Sequence, residues 1–236
     1  MTTAIEARNL VAGYGAITIV RDLDLAVEPG EIVALLGPNG AGKTTTLHTL
    51  AGLLAPIGGQ VLLHGSVAVG PLHRRVRRGL GLVTEQRSVL MRLTVADNLR
   101  VNRGDTDLAL RLFPELRPHL ARRAGLLSGG QQQMLALARA LSRRPSVLMA
   151  DELSLGLAPI VVTRLLAAVR GAADEGVAVL LVEQHLDKAL DVADRAVVMH
   201  RGQIRLRGTA QEVRAGMSQV VASYLDDRDA GTAPVS

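Results

Sequence analysis

Residues Gly37 to Thr44, GPNGAGKT, fit the pattern Gly-x-x-x-x-Gly-Lys-Ser/Thr. They stand between an apolar run, EIVALL, and a helix-like run, TTTLHTLAGLL. In that strand–loop–helix setting the chemistry is phosphate binding. Glycines at 37, 40 and 42 let the backbone curl and aim successive N–H groups at phosphate oxygens, and the following helix adds the positive end of its dipole. The expected nucleotide-binding residues are Gly37, Pro38, Asn39, Gly40, Ala41, Gly42, Lys43, Thr44 and Thr45. Lys43 would reach the outer phosphates, and the Thr44 hydroxyl would ligate Mg²⁺. The chain has one other lysine, Lys188, so a lysine at the demanded position is a specific signal.

A second anion-binding helix end lies in LLSGGQQQ, Leu126 to Gln133. Ser128 is placed to cap the helix that follows, and Gly129 and Gly130 expose backbone N–H groups at its start. Met134, Leu135, Ala138 and Leu141 share one face of that helix. A guanine-reading GTPase would need Asn-Lys-x-Asp, and the residues around Lys188, DKAL, do not supply it. A P-loop kinase would not need the second helix end.

The elements that must position these groups follow from periodicity. EIVALLG, GLGLVT, SVLMAD and VAVLLVE are short apolar runs alternating with helix-like stretches, the pattern of a parallel sheet covered by helices. AIEARNLVAGYG and TIVRDLDLAVEPGE read as short, half-exposed strands of a small antiparallel sheet ahead of that core. TVADNLRV, DTDLALRLFPEL and SGGQQQMLALARAL are helical in period. The expected fold is α/β, a P-loop NTPase (RecA-like) core with an N-terminal antiparallel β subdomain and an inserted helical subdomain. The core spans residues 1–86 and 143–226, the helical subdomain 87–142, and 227–236 form a disordered tail with almost nothing to bury.

Leu127 to Gln131, LSGGQ, resembles the signature of the ABC ATP-binding cassettes, and the likeness runs from residue 4 to about 226. It implies a head-to-tail dimer in which the P-loop of one subunit and Ser128, Gly129, Gly130 and Gln131 of the other enclose each ATP. It also implies that Asp151 holds Mg²⁺ and that Glu152 activates the attacking water as general base. Tyr14 stands where cassettes stack a ring on adenine; packing within its own strand is the competing reading. SLGLAP, from Ser154, resembles the loop that touches the opposite subunit, with Leu153 where many cassettes have proline.

Two positions depart from the general pattern. Counting from Gly81 puts Glu85, not Gln86, where cassettes carry a glutamine that senses the γ-phosphate and Mg²⁺. Counting from Val182 puts Gln184, not His185, where they carry a histidine that contacts the γ-phosphate. Leu186, Ala189, Leu190 and Ala193 recur at helical steps, so a helix begins near Leu186 and its cap falls at His185, leaving Gln184 at the strand end. These substitutions, with LFPELRPHLARRAGLLSGG, resemble an ATP-binding subunit of branched-chain amino acid importers.

Composition sets limits on the rest. The chain has 236 residues, no cysteine, and a net charge of +5 carried mostly by arginine. The N-terminus lacks a signal-peptide layout, and no apolar run reaches the roughly 18–20 residues that cross a bilayer. With Tyr14, Phe113 and Tyr224 as its only aromatic residues, it has no stacking platform for bases, and no nucleic-acid partner is expected. HRRVRR, His73 to Arg78, is expected to be a solvated helix face, with an anionic lipid or RNA surface as the other reading. Val89, Leu90, Met91 and Leu93 either dock a membrane-subunit helix or belong to the subdomain's own core. The resulting expectation is an ATPase using ATP and Mg²⁺, cytoplasmic and peripheral at the membrane's inner face. It would energise transport of branched-chain amino acids or related amides. Its partners would be membrane-spanning permease subunits, a second ATP-binding subunit or a second copy, and a solute-binding protein. The alternative is a soluble cassette acting on nucleic acid or ribosomes.

Overall fold

The N-terminal strand β1 (Ile5–Tyr14) pairs antiparallel with β2 (Ile17–Val27), the two joined by a tight turn. Both strands are longer than the sequence pattern suggests. Register shifts at Ala7/Leu10 and Leu10/Ala12 break the two-residue alternation by which a strand is recognised. After β3 (Ile32–Leu36) the chain enters helix α1 (Lys43–Ala51). This helix stops at Gly52, earlier than its apolar run implies, because Gly52 takes a left-handed conformation and Leu53 N bonds back to His48 O. Strands β4 (Gly58–Leu63) and β5 (Ser66–Val67) complete a four-stranded antiparallel sheet of order β2-β1-β4-β5. Residues 2–84, 89–101, 103–184 and 186–216 are described by this computed structural model.

Helix α2 (Leu72–Arg77) leads to β6 (Leu80–Val83), after which the chain is helical. Helices α3 (Val95–Val101) and α4 (Thr106–Leu112) are followed by 3-10 turns at Pro114–His119 and Ala124–Leu126, and then by α5 (Gly129–Leu141). The expected single helix through Phe113 is broken, because a proline at 114 disfavours helical backbone at the residue before it. Then β7 (Val147–Asp151), α6 (Pro159–Asp174), β8 (Ala178–Glu183), α7 (Leu186–Val192), β9 (Arg195–His200) and β10 (Gln203–Thr209) follow. The second sheet has the order β10-β9-β3-β8-β7-β6, parallel except for β10 at its edge.

Strands β3, β7 and β8 are buried along their whole length, so alternate residues serve two cores. Ile32, Ala34 and Leu36 join Leu137 of α5 and Leu165 of α6 on one face. Val33 and Leu35 join Leu47 and Leu50 of α1, and Leu23 and Val27 of β2, on the other. The sheet is thus the wall between the helices and the α1–antiparallel-sheet layer, and its carboxyl ends are where both layers meet.

The arginine-rich helix is not simply a solvated face. His73, Arg74 and Arg77 are exposed, but Arg75 is buried. Its guanidinium donates to the carbonyls of Thr49 and Leu50 at the end of α1, and to Ala68 O at 2.9 Å. A cation there meets the negative end of the helix dipole and satisfies carbonyls that the helix cannot. Arg75→Ala should therefore destabilise the chain by about 2–4 kcal/mol, more than a surface arginine would. Urea unfolding of Arg75→Ala beside Arg77→Ala checks this, with Arg77→Ala expected within about 0.5 kcal/mol of wild type.

Candidate nucleotide site

The loop after β3 turns back on itself at Gly37, whose φ is 149°. A Cβ there would lie 2.3 Å from Met199 O of β9, so only glycine lets the loop pass the neighbouring strand. The loop is also held from outside. Gly202 N, in the β9–β10 turn, donates to Ala41 O at 2.9 Å, and Gly202 O accepts from Arg21 N of β2 at 3.0 Å. Gly42, at φ 102°, caps α1, and Lys43 is the helix's first residue.

Lys43 is buried, and its Nζ donates to Gly37 O at 2.8 Å and Pro38 O at 3.2 Å. Burial pushes its pKa down, opposed by the negative charges of Glu152, Asp151 and Glu183 in that order. The ammonium therefore sits at the centre of the loop, facing a group of carboxylates. A cleft of about 170 Å³ opens beside it, lined by Asn39, Gly40, Ala41, Gly42, Lys43, Thr44, Thr45, Ile19 and Glu152. Backbone amides, a lysine, two hydroxyls and a helix N-terminus suit a polyphosphate. A larger groove of about 510 Å³ lies at the opposite, amino ends of β7 and β8, beside Pro145, Ser146 and Val177, and includes none of the expected site residues.

The remaining strand ends converge on this cleft by register. Asp151 ends β7 opposite Val182, and Glu152 N donates to Val182 O at 2.9 Å. Asp151 is in phase with Val147 and Met149, on the α1 face of the sheet. Leu36 is paired with Glu183, the last residue of β8. Gln184 follows it in a bend, exposed, and is not among the residues lining the cleft. Helix α7 begins at Leu186, as its periodicity requires. Glu85, Gln86 and His185 lie outside the described residues, as does the tail from 217.

Ser128 and Gln131 form a reciprocal cap. Ser128 Oγ accepts from Gln131 N at 3.3 Å, and Gln131 Oε1 accepts from Ser128 N at 3.0 Å. Gly130 has a packing role as well, since a Cβ there would lie 2.9 Å from Val161 Cγ1 of α6. None of Ser128, Gly129, Gly130 and Gln131 lines the cleft around Lys43. Tyr14, 48% exposed at the tip of the β1–β2 hairpin, does not line it either, although Ile19 of β2 does. Within one chain the structure joins the P-loop to Glu152 and leaves the second helix end apart.

Two polar groups escaped the sequence reading. Glu183 and Ser154 are 2% and 4% exposed, and Ser154 N and Oγ donate to the two Glu183 carboxylate oxygens at 3.0 and 2.8 Å. Leu153, in the place where proline would stiffen the turn, is buried in the core beside α5 and α6. The one available signal was an ionisable residue closing an otherwise apolar strand.

This fold and cleft define a P-loop nucleotide hydrolase. The ABC transporter family pattern matches residues 20–154, more than half of the chain. The chain is 42% identical over 206 residues to the high-affinity branched-chain amino acid transport ATP-binding protein BraG of Pseudomonas aeruginosa, covering 83% of this chain and 88% of that one. It is 38% identical over 219 residues to the probable branched-chain amino acid transport ATP-binding protein LivF of Archaeoglobus fulgidus, covering 87% and 92%. It is 35% identical over 221 residues to the lipopolysaccharide export system ATP-binding protein LptB of Escherichia coli, covering 89% and 92%. A solved ATP-binding subunit of an ABC transporter superposes with a TM-score of 0.79 at 28% identity, covering 92% and 94%. The chain belongs to the ABC transporter family as one of its ATP-binding, ATP-hydrolysing cassettes.

Because Gln184 directly follows β8, whose last residue pairs with Leu36 just before the P-loop, Gln184→Ala should lower ATP turnover at least about tenfold, and His185→Ala less than about threefold. A pH–rate profile run with both variants should show no histidine-range step that His185→Ala removes. If His185→Ala is the crippling change, the strand-end register is wrong by one residue.

Proposed function

We propose that this cassette energises import of branched-chain amino acids or related small amides through separate membrane-spanning permease subunits. It would work at the cytoplasmic face of the membrane, with a solute-binding protein delivering the solute. The observation that supports the solute class is the higher identity to the two branched-chain amino acid relatives, 42% and 38%, than to the lipopolysaccharide export relative at 35%. Among the described residues no helix is long and apolar enough to cross a membrane.

The separation of the two anion-binding helix ends supports a shared site. The P-loop residues bind one face of ATP, Tyr14 stacks on its adenine, and Ser128 to Gln131 of a second cassette close over the γ-phosphate. That second cassette is another copy or a related subunit, related head to tail. Glu152, at the lip of the cleft, takes the proton of the attacking water, and Gln184 orients that water by a neutral hydrogen bond. Thr44, Asp151 and Glu85 would hold Mg²⁺. When bound, the ion supplies charge neutralisation at the outer phosphates.

A docking point for the permease is supported by the loop before α3. Asn98 is buried, and its side chain bonds Leu90 N and O at 2.9 and 3.0 Å and Thr94 O at 2.9 Å. That single amide pins a loop whose Leu90, Met91 and Leu93 are exposed while Val89 is buried. Both readings of this apolar group thus have a share of it: Val89 packs inward, and the other three present an apolar surface to a permease helix.

Ser128→Arg should leave ATP affinity of its own chain within about threefold, yet lower hydrolysis by about a hundredfold or more, since the side chain fills the seat of the partner's γ-phosphate. Nucleotide binding is measured on the isolated chain, and turnover on the cassette assembled with its permease in liposomes. Stimulation by leucine, isoleucine or valine with the binding protein is the expected outcome. Loss of ATP binding in Ser128→Arg would refute the shared site, and indifference to those solutes would refute the solute class.

A further inference from the structure

The turn after β7 carries Glu152, and Glu152 itself is in the left-handed region, at φ 49°. A side-chain-bearing residue holds that conformation only where its surroundings over-determine it. Three hydrogen bonds to the end of β8 do so here. Glu152 N is tied to Val182 O, and Ser154 N and Oγ are tied to the two carboxylate oxygens of Glu183. Leu153, between them, is buried against the helices. With leucine at 153 the turn has no ring to fix its φ, so these contacts set its path.

Glu183 is an unusual residue to find there. It closes a strand whose other five residues are buried and apolar, and a carboxylate in such a place is costly where leucine or valine would pack at no electrostatic penalty. It is in phase with Val179 and Leu181, the face of the sheet that holds α5 and α6, so it is turned away from the α1 face. Its charge still reaches the site, since Glu183 is the third of the carboxylates that oppose the lowering of Lys43. Glu183 thus grips the Glu152 turn while its charge is felt at Lys43.

We infer that Glu183 is a positioning residue for ATP hydrolysis, holding Ser154 so that the turn presents Glu152 to the phosphate cleft at a fixed distance and angle. This rests on the reading of Glu152 as general base. Glu183 is not among the residues lining the cleft; it acts through Ser154 and the strained residue two places before it. Glutamine at 183 can keep both bonds, its carbonyl accepting from Ser154 N–H and its amide donating to Ser154 Oγ, whereas alanine keeps neither.

The test is steady-state ATP hydrolysis by the full chain, with nucleotide affinity and thermal unfolding measured on each variant. Glu152→Gln is run first, and a loss of turnover with ATP affinity kept upholds the reading of the base. Unchanged turnover in Glu152→Gln would overturn the reading of the base, and with it the positioning role that rests on it. Lowered turnover in Glu152→Gln beside unimpaired Glu183→Ala would overturn the positioning role alone. Glu183→Ala should then lower kcat by about tenfold to a hundredfold with KM for ATP within about twofold, as a misplaced catalytic group does. Glu183→Gln should recover most of that loss. Should Glu183→Ala fail to fold, Ser154→Ala removes one of the two bonds and should lower kcat by about threefold to tenfold, again without moving KM. The inference is overturned if Glu183→Ala or Ser154→Ala lowers only the melting temperature and leaves kcat per folded molecule unchanged. It is equally overturned if Glu183→Gln is as impaired as Glu183→Ala, since the charge rather than the grip would then matter.

Discussion

A buried ammonium governs the site. Lys43 is taken out of water at the first turn of α1, and burial alone would favour its neutral form. Two loop carbonyls and the field of Glu152, Asp151 and Glu183 counter that tendency. The arrangement needs a loop able to pass within contact distance of β9, a helix that starts at the lysine, and carboxylates at neighbouring strand ends. Much of the sheet serves those needs. The parallel strands bring Leu36, Asp151 and Glu183 to one edge, and the β9–β10 turn ties the loop to the antiparallel layer through Gly202. A polyphosphate arriving there meets a positive charge that has been freed of much of its hydration and is opposed by nearby negative charge. That polarity is what hydrolysis of a nucleotide requires from its surroundings.

The fully buried strands also divide the labour between layers. Successive residues of β8 alternate between the α1 core and the helical core, and the alternation carries on to the strand end. Glu183, at the last step of that alternation, holds the turn bearing Glu152 from the helical side. Rearrangement of either layer would be felt at this edge, because the hydrogen bonds from Glu152 and Ser154 to β8 leave little slack between them. At the start of α5, Ser128 is capped and exposed while Gly130 packs on α6.

The phosphate loop, the parallel sheet and the antiparallel layer were legible in the sequence because each rests on a short-range rule. Glycine spacing defines the loop, uninterrupted apolar runs define strands covered on both faces, and helical steps from Leu186 locate the start of α7. The misses have physical causes. Bulges hid the length of β1 and β2, Gly52 and Pro114 ended helices that the apolar pattern would have continued, and the run of arginines concealed one, Arg75, whose partners are carbonyls distant in sequence. Glu183 and Ser154 are twenty-nine residues apart, so no local pattern could pair them. Leu153 likewise gave no hint that burial would do the work of a proline ring.

The central claim is that the cleft around Lys43 is the ATP site and that this ammonium is its principal point charge. Calorimetric titration of the full chain with a non-hydrolysable ATP analogue and Mg²⁺, set against Lys43→Ala of matched melting temperature, tests it most directly. The wild-type chain should bind the analogue, and the variant should bind it at least about a hundredfold more weakly, as expected for losing a charged hydrogen-bond donor in a desolvated site. Equal affinities in the two proteins would contradict it.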